Sequence, residues 1–229
     1  MRVLKLHDWD VGTAQAATLQ RDLAMRVVRS RCLVSVPRLV AGCDLAVDRL
    51  RGRGTAAVVV VALPSMETVE VRVAEGPLSW PYVPGFLSFR ECPLVLDAFS
   101  HLVVEPDAVL VDGQGIAHPR RFGLASHLGL CLDVPTAGCA KSLLCGVCDP
   151  PGEEPGACAE VSDRGEVVAI ALRTRTGARP VYVSIGHKTD LAGAVEWVLH
   201  CTDRHRLPEP TRLAHLAAGG RPLPRTREG

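Results

Sequence analysis

The sequence has almost no net charge and no long apolar run, and each absence excludes a class of protein. A formal net charge of +1 gives no overall signal for nucleic acid, so any such contact must come from local basic patches at 120–121, 204–206 and 221–227. The longest apolar run, residues 56–63, is too short to span a bilayer. Residues 1–9 mix charged with apolar side chains, unlike a secretory signal. We therefore expect a cytoplasmic protein that does not contact membranes.

Aromatic side chains are also scarce, at 4% of the chain, yet they concentrate in one segment. Residues 79–93 hold Trp80, Tyr82, Phe86 and Phe89 together with three prolines. The prolines predict a stiff loop across the whole segment, followed by a helix over 94–103. Glu91 would then lie on this loop, where a lone glutamate is most often a solvated surface residue.

Cysteine is not scarce, but nine cysteines do not imply disulfides here. Several fall within apolar patterns, where a reduced cysteine behaves as a small hydrophobic side chain. These are Cys43, Cys131, Cys139 and Cys201. Cys145 and Cys148 form a CxxC pair followed by Cys158, but no second pair or suitably spaced histidine completes the four ligands of structural zinc. Incidental loop cysteines are the favoured interpretation, with a zinc site or a redox pair as alternatives.

A chain of 229 residues suits one large domain, which we place at 1–218, with a surface excursion at 145–164 and a basic, disordered tail at 219–229. Apolar periodicity predicts a helix over 10–30, and further helices that follow residues 122, 191 and 210. Strands are predicted at 37–47, 55–63, 67–76, 108–115, 135–142, 166–173 and 180–187. Strands in hairpin order followed by alternating strands and helices indicate an α/β fold with a mixed central β-sheet flanked by helices, which is the pattern of a ribonuclease-H-like domain.

Two aspartates, Asp44 and Asp112, interrupt strands that are otherwise apolar. If those strands are neighbours, their backbones lie about 4.8 Å apart and the two carboxylates can face one another. Two acids so close repel each other unless a proton or a cation lies between them, and oxygen ligands on a rigid sheet suit Mg²⁺ or Mn²⁺. The alternative is that each acid makes a local cap or salt bridge at a strand end.

Other residues near these acids have both a functional and an ordinary interpretation. Gly113, Gly115 and Gly138 would let bare backbone approach a flat ligand, or they would simply form a tight turn from strand to helix. Lys141 follows a strand, and His215 lies away from the apolar side of the last helix, so each is either solvated or directed into a cleft. The GQGIAH segment lacks the third glycine of a dinucleotide-binding fingerprint.

Six long segments together carry a family resemblance. They are VAGCDLAV (40–47), PYVPGFLSFRECP (81–93), PDAVLVDGQGIAHPRRFGLASHLG (106–129), VPTAGCAKS (134–142), YVSIGHKTDL (182–191) and RLPEPTRLAHL (206–216). In this order they resemble endonuclease V, a family that nicks nucleic acid next to deaminated purines. The resemblance runs from about residue 35 to 217, and its departures, such as Cys43 and Cys139, fall at packing positions.

The resemblance implies a catalytic role for each matching polar residue. Asp44 and Asp112 would bind the catalytic divalent metal, Mg²⁺ with Mn²⁺ as a substitute. Glu91 and His215 would complete or flank that metal site. Lys141 would stabilise charge on the scissile phosphate.

The resemblance also implies how substrate is bound. Tyr82 would act as a wedge, stacked into the gap left by an extruded base. His118 would sit near the substrate strand. The pocket for hypoxanthine would be formed by the backbone around Gly85, Leu87, Gly113, Gly115 and Gly138.

The implied function is DNA repair by a metal-dependent endonuclease that acts as a monomer. It would cut the second phosphodiester bond 3′ to deoxyinosine and leave 3′-hydroxyl and 5′-phosphate ends. A deaminated base pairs poorly, so it costs less to extrude and then meets a pocket that reads its edge. Two alternatives remain at this point: a ribonuclease acting on inosine in single-stranded RNA, and a lesion-binding module without turnover.

Overall fold

The computed structural model describes residues 1–33 and 35–224, which form one eight-stranded mixed β-sheet with helices on both faces. The helices are α1 (Thr13–Ala24), α2 (Leu87–Ser100), α3 (Leu124–Leu132), α4 (Leu191–His200) and α5 (Glu209–Ala218). The strands are β1 (Leu39–Asp48), β2 (Arg53–Ala62), β3 (Glu67–Pro77), β4 (Ala108–Val111), β5 (Thr136–Ala140), β6 (Cys158–Asp163), β7 (Glu166–Leu172) and β8 (Val181–His187). The strand order is β3-β2-β1-β4-β5-β8-β7-β6. The predicted α/β fold, a ribonuclease-H-like mixed sheet flanked by helices, is confirmed.

The centre of the sheet is parallel and its two sides are antiparallel. β4 pairs in parallel with β1 on one side and with β5 on the other, whereas β2, β3, β6, β7 and β8 join through antiparallel pairs. All four residues of β4 are buried. A short central strand covered on both faces is apolar throughout, as the sequence predicted for this segment.

Apolar side chains from the strands form two layers, one on each face of the sheet. Cys43 and Val111 pack on the face covered by α2 and α3, whereas Val40 and Leu110 pack on the face covered by α4 and α5. Successive side chains of a strand point to opposite faces. Asp44 therefore lies on the α5 face of β1.

The stiff loop predicted over 79–93 is wrong in its second half, because α2 begins at Leu87. Pro93 lies inside this helix, where a proline removes one backbone hydrogen bond and costs roughly 3 kcal/mol. Phe89, Cys92 and Phe99 are fully buried on the same helix. Burial of each large apolar side chain contributes about 1.5–3 kcal/mol to stability, so these buried side chains offset the cost of the proline.

Within the surface excursion predicted at 145–164, residues 158–163 form the edge strand β6, which the sequence interpretation did not predict. Val161 is fully buried in a small apolar cluster with Val168 and Ala169 of β7. The turn into β7 is made by Arg164 and Gly165, both with positive φ, which is the backbone that a two-residue hairpin turn requires. An Arg-Gly pair is a weaker turn signal than Asn-Gly, and the sequence interpretation therefore missed it.

Both ends of the chain differ from expectation in detail. The helix predicted over 10–30 ends at Ala24. The tail at 219–229 was predicted to be disordered. Residues 219–224 follow α5 as a turn and an irregular stretch, in which Leu223 packs against the core. Residues 225–229 lie outside the described residues. In the described chain, no helix has both the length and the apolar character needed to cross a membrane.

Candidate active site

Asp44 and Asp112 lie side by side at the centre of the sheet. β1 and β4 are parallel neighbours, and Cys43 is paired with Val111, so each aspartate is the next residue after a paired position. Both carboxylates are largely shielded, with side-chain exposures of 17% for Asp44 and 11% for Asp112. Burial raises the pKa of Asp112 above its ordinary value, opposed by the Lys141 ammonium and reinforced by the charge of Asp44.

Each aspartate is paired with a basic side chain from another element. Lys141, the first residue beyond β5, donates from Nζ to the Asp112 carboxylate. His215, near the end of α5, lies with Nδ1 2.7 Å from Oδ2 of Asp44. Lys141 and His215 are both about half exposed, so they form the solvent side of the cluster.

The position of α5 depends on a glycine that the sequence interpretation did not single out. A Cβ added at Gly42 in β1 would lie 2.1 Å from the backbone carbon of Pro210. Only glycine permits such a contact between a strand and a helix backbone. The close approach brings the helix near enough for His215 to reach Asp44.

Glu91 enters the same cluster from α2. Burial, together with the charges of Asp44 and Asp112, raises the pKa of Glu91 to about 8 against the opposing effect of Arg90. Glu91 is therefore a partly buried member of an acidic cluster and not the solvated loop residue that a lone glutamate suggested.

The donor chemistry of this cluster fits a hard divalent cation. In this conformation, no three His, Cys, Asp or Glu side chains within residues 1–33 and 35–224 are arranged to hold one metal ion. This holds also for Cys145, Cys148 and Cys158. Asp44 and Asp112 are instead turned to His215 and Lys141. The charge of Asp44 raises the pKa of both Asp112 and Glu91, so the cluster gains from a positive charge between its carboxylates, and oxygen ligands select Mg²⁺ or Mn²⁺.

A cleft of about 260 Å³ has Asp112 and Lys141 of this cluster in its wall, whereas Asp44, Glu91 and His215 do not line it. Seven of the residues expected at the site line it: Tyr82, Gly85, Leu87, Asp112, Gly113, His118 and Lys141. The sequence interpretation missed Gln20 from α1, Ser88 from α2 and Gln114, which also line the cleft. Gln20 carries no motif signal, because its part in the cleft depends on how α1 packs.

Gly115 and Gly138, also expected at the pocket, are not among the residues that line the cleft. A Cβ at Gly115 would lie 1.9 Å from the carbonyl oxygen of Ile185, and one at Gly138 would lie 2.5 Å from that of Gly113. These glycines let the turn after β4 press against β5 and β8. The packing interpretation explains them, and Gly113 alone of the three contributes to the cleft wall.

The loop that carries Tyr82 is anchored at Gly85. The carbonyl oxygen of Gly85 accepts hydrogen bonds from Nε2 of Gln20 at 3.0 Å, Nε2 of His118 at 3.0 Å and the Arg120 guanidinium at 2.7 Å. The guanidinium also lies over the ring of Phe86, 4.3 Å from its centroid. Three donors on one carbonyl fix the base of the loop from two directions.

His118 lines the cleft and also holds this anchor. Its Nδ1 accepts from the backbone N–H of Arg120, so Nε2 carries the hydrogen that is donated to Gly85. Burial and the charge of Arg120 lower the pKa of His118 to about 4. The ring is therefore neutral at neutral pH, and both nitrogens are bonded within the protein.

Tyr82 projects from the anchored loop into solvent, with 70% of its surface exposed. A tyrosine packed under its own loop would instead be buried. Tyr82 also lines the cleft, so its exposed ring lies where the cleft meets solvent.

Comparison with known proteins agrees with this geometry. Residues 21–216 match the family model of endonuclease V. An endonuclease V from Dehalococcoides mccartyi is 49% identical over 218 residues, covering 95% of this chain and 97% of the relative.

Solved structures give the same result. The endonuclease V from Streptomyces avermitilis has a TM-score of 0.89 and 38% identity, covering 96% of this chain and 97% of that one. An endonuclease V from Ciona intestinalis, solved in complex with DNA containing an inosine followed by a ribo-adenosine, has a TM-score of 0.79 and 28% identity, covering 90% and 96%. The chain therefore belongs to the endonuclease V family and is an endonuclease.

Proposed function

We propose that this endonuclease nicks DNA at the second phosphodiester bond 3′ to deoxyinosine, with Mg²⁺ as its cofactor and Mn²⁺ as a substitute. The products carry 3′-hydroxyl and 5′-phosphate ends. The observation that carries the proposal is a single cleft that is lined both by Asp112 of the acidic cluster and by an exposed tyrosine on an anchored loop.

The acidic cluster supplies the groups for phosphodiester hydrolysis. Asp44, Asp112 and Glu91 would hold the cation, which when bound acts as a Lewis acid on the phosphate oxygens. His215 fixes the carboxylate of Asp44 through its Nδ1. Lys141 is already within hydrogen-bonding distance of Asp112, so its ammonium is placed to neutralise negative charge on a phosphate there.

The cleft supplies lesion recognition. The ring of Tyr82 is free to stack where a base has left the duplex, and the cleft beyond it receives the extruded base. Gly85, Leu87 and Gly113 line that cleft, and a glycine allows backbone groups to approach a flat base. The relative from Ciona bound to inosine-containing DNA supports DNA as the substrate class.

A nicking assay tests the proposal. An end-labelled duplex with one deoxyinosine is incubated with the protein and Mg²⁺, beside a deoxyadenosine duplex, an EDTA control and an inosine RNA of the same sequence. We expect a single cut on the deoxyinosine strand, at the stated bond, with a product that DNA ligase can reseal. Cleavage of the RNA alone would replace the proposal with a ribonuclease, and binding without any cut would replace it with a lesion-binding module.

A further inference from the structure

Arg206 connects the segment after β5 with the segment before β8. Nη2 of its guanidinium donates to the carbonyl oxygen of Lys141 at 2.9 Å and to that of Pro180 at 2.7 Å. The Nε of Arg206 donates to the carbonyl oxygen of Arg179 at 2.8 Å. One planar group therefore holds three backbone carbonyls, a geometry that the fixed fork of an arginine suits.

The carbonyl of Lys141 needs such a donor because it lies beyond the regular ladder. β5 ends at Ala140, which is paired with Tyr182 in β8. Pro180, just before β8, has no backbone N–H to offer. The guanidinium supplies the missing donor at the residue whose Nζ contacts Asp112.

Arg206 is itself fixed from a third direction. Its own carbonyl oxygen accepts a hydrogen bond from Oγ1 of Thr174, a buried residue just after β7, at 2.7 Å. Pro208, two residues later, is the N-cap of α5, the helix that carries His215. Arg206 thus lies in the segment that leads into α5 and His215, and its side chain binds the backbone of Lys141.

We propose that Arg206 is a positioning residue that holds the backbone of Lys141 so that its ammonium stays on Asp112. The inference rests on the proposed role of Lys141. Loss of the fork frees the segment after β5, and a misplacement of about 1 Å at a reacting group costs up to roughly a hundredfold in rate. Substrate affinity changes little, because Arg206 acts through Lys141 and does not touch the substrate.

The test compares single-turnover nicking of the deoxyinosine duplex by Arg206→Gln and Arg206→Lys. Both variants are expected to cut about tenfold to a hundredfold more slowly, with the Kd for the duplex within about threefold of the original. Lysine keeps the charge but cannot hold three carbonyls in a planar fork, so it does not rescue the rate. Arg206→Lys also decides the matter if Arg206→Gln melts below the assay temperature.

The matched control is Arg175→Gln. Arg175 donates to the carbonyl oxygen of Arg204 at 3.2 Å and so contacts the same connection before α5, but it does not contact Lys141. Its nicking rate is expected to stay near that of the original protein. A rate loss equal to that of Arg206→Gln would show that general loosening of this connection is responsible and would overturn the inference.

A double variant separates positioning from other roles. In a Lys141→Met background, Arg206→Gln should lower the rate no further, because the group that it positions is gone. Multiplied losses, a large loss of affinity, or full rescue by Arg206→Lys would each overturn the inference and indicate a direct contact with DNA. A wild-type rate for Lys141→Met alone would instead refute the proposed role of Lys141, and the inference with it.

Discussion

Glu91 is the residue whose ionisation depends most on its surroundings. Its pKa of about 8 compares with 4.5 for an exposed glutamate, because burial and two neighbouring aspartates oppose its negative charge. Between these two pH values the folded protein keeps a proton that the unfolded chain releases. The contribution of Glu91 to stability is therefore present at low pH and is lost as pH rises towards 8.

We predict that this loss is visible in the metal-free protein. Urea unfolding in EDTA, measured from pH 5 to pH 8, should show stability falling less steeply in Glu91→Gln than in the original protein, because glutamine does not ionise. Glu67→Gln, at the exposed start of β3, serves as the control and should keep the original slope. Identical slopes for Glu91→Gln and the original protein would contradict a buried, protonated Glu91.

Tyr82 is the residue whose role depends on its exposure. Stacking of a base on an aromatic ring is worth roughly 1–3 kcal/mol, so Tyr82→Ala should weaken binding of deoxyinosine duplex about tenfold to a hundredfold. Tyr82→Phe should keep most of the affinity, since it keeps the ring. The Kd values for duplex and single-stranded substrate, with the melting temperature of each variant, provide the measurement.

Two features of these data would argue for the wedge. The loss in Tyr82→Ala should be smaller on single-stranded DNA, where no gap in a duplex needs filling. The melting temperature should hardly change, because the ring is 70% exposed. An unstable variant with equal losses on both substrates would refute the wedge.

At the scale of elements, the site depends on the contact between α5 and β1. We predict that Gly42→Ala forces these elements apart, because its Cβ would lie 2.1 Å from the backbone of Pro210. Overpacking of this kind costs about 1–3 kcal/mol or more, and it would also move His215 away from Asp44. Thermal unfolding and nicking rate should both suffer.

Gly12→Ala is the matched control for this change. Gly12 precedes α1, and a Cβ there would meet no heavy atom within 4 Å. Its stability and nicking rate should stay close to those of the original protein. A Gly42→Ala variant as stable and active as Gly12→Ala would show that α5 can shift without consequence.

The elements also show which sequence signals are sufficient. Apolar runs predicted β1 and β2 well, because a strand buried on its faces leaves a continuous hydrophobic pattern, but the strand predicted over 108–115 ends at Val111. The start of α2 was not predicted, because Pro93 disfavours a helix locally. Burial of the helix against the sheet overrides this local preference. Gly115 looked like a ligand-binding residue because a bare backbone position has the same sequence signal whether it contacts a base or the carbonyl of Ile185.

At the scale of the whole molecule, the candidate site is assembled from distant parts of the chain. Asp44 and His215 are 171 positions apart, and Lys141 lies 29 positions from Asp112. The sequence and its family resemblance named these residues, but their pairing follows from sheet order, which places β1, β4 and β5 together. Arg206 and Gln20 could not be predicted in this way, because they act through backbone carbonyls whose positions only the folded chain defines.

The most direct test of the proposed chemistry is nicking by Asp112→Asn. The change removes a carboxylate charge but little volume, so the fold and the cleft should persist. We predict that Mg²⁺-dependent cleavage of the deoxyinosine duplex is abolished while the Kd for the same duplex stays near its original value. Substantial Mg²⁺-dependent cleavage by Asp112→Asn would contradict the assignment of the catalytic cation to this acidic cluster.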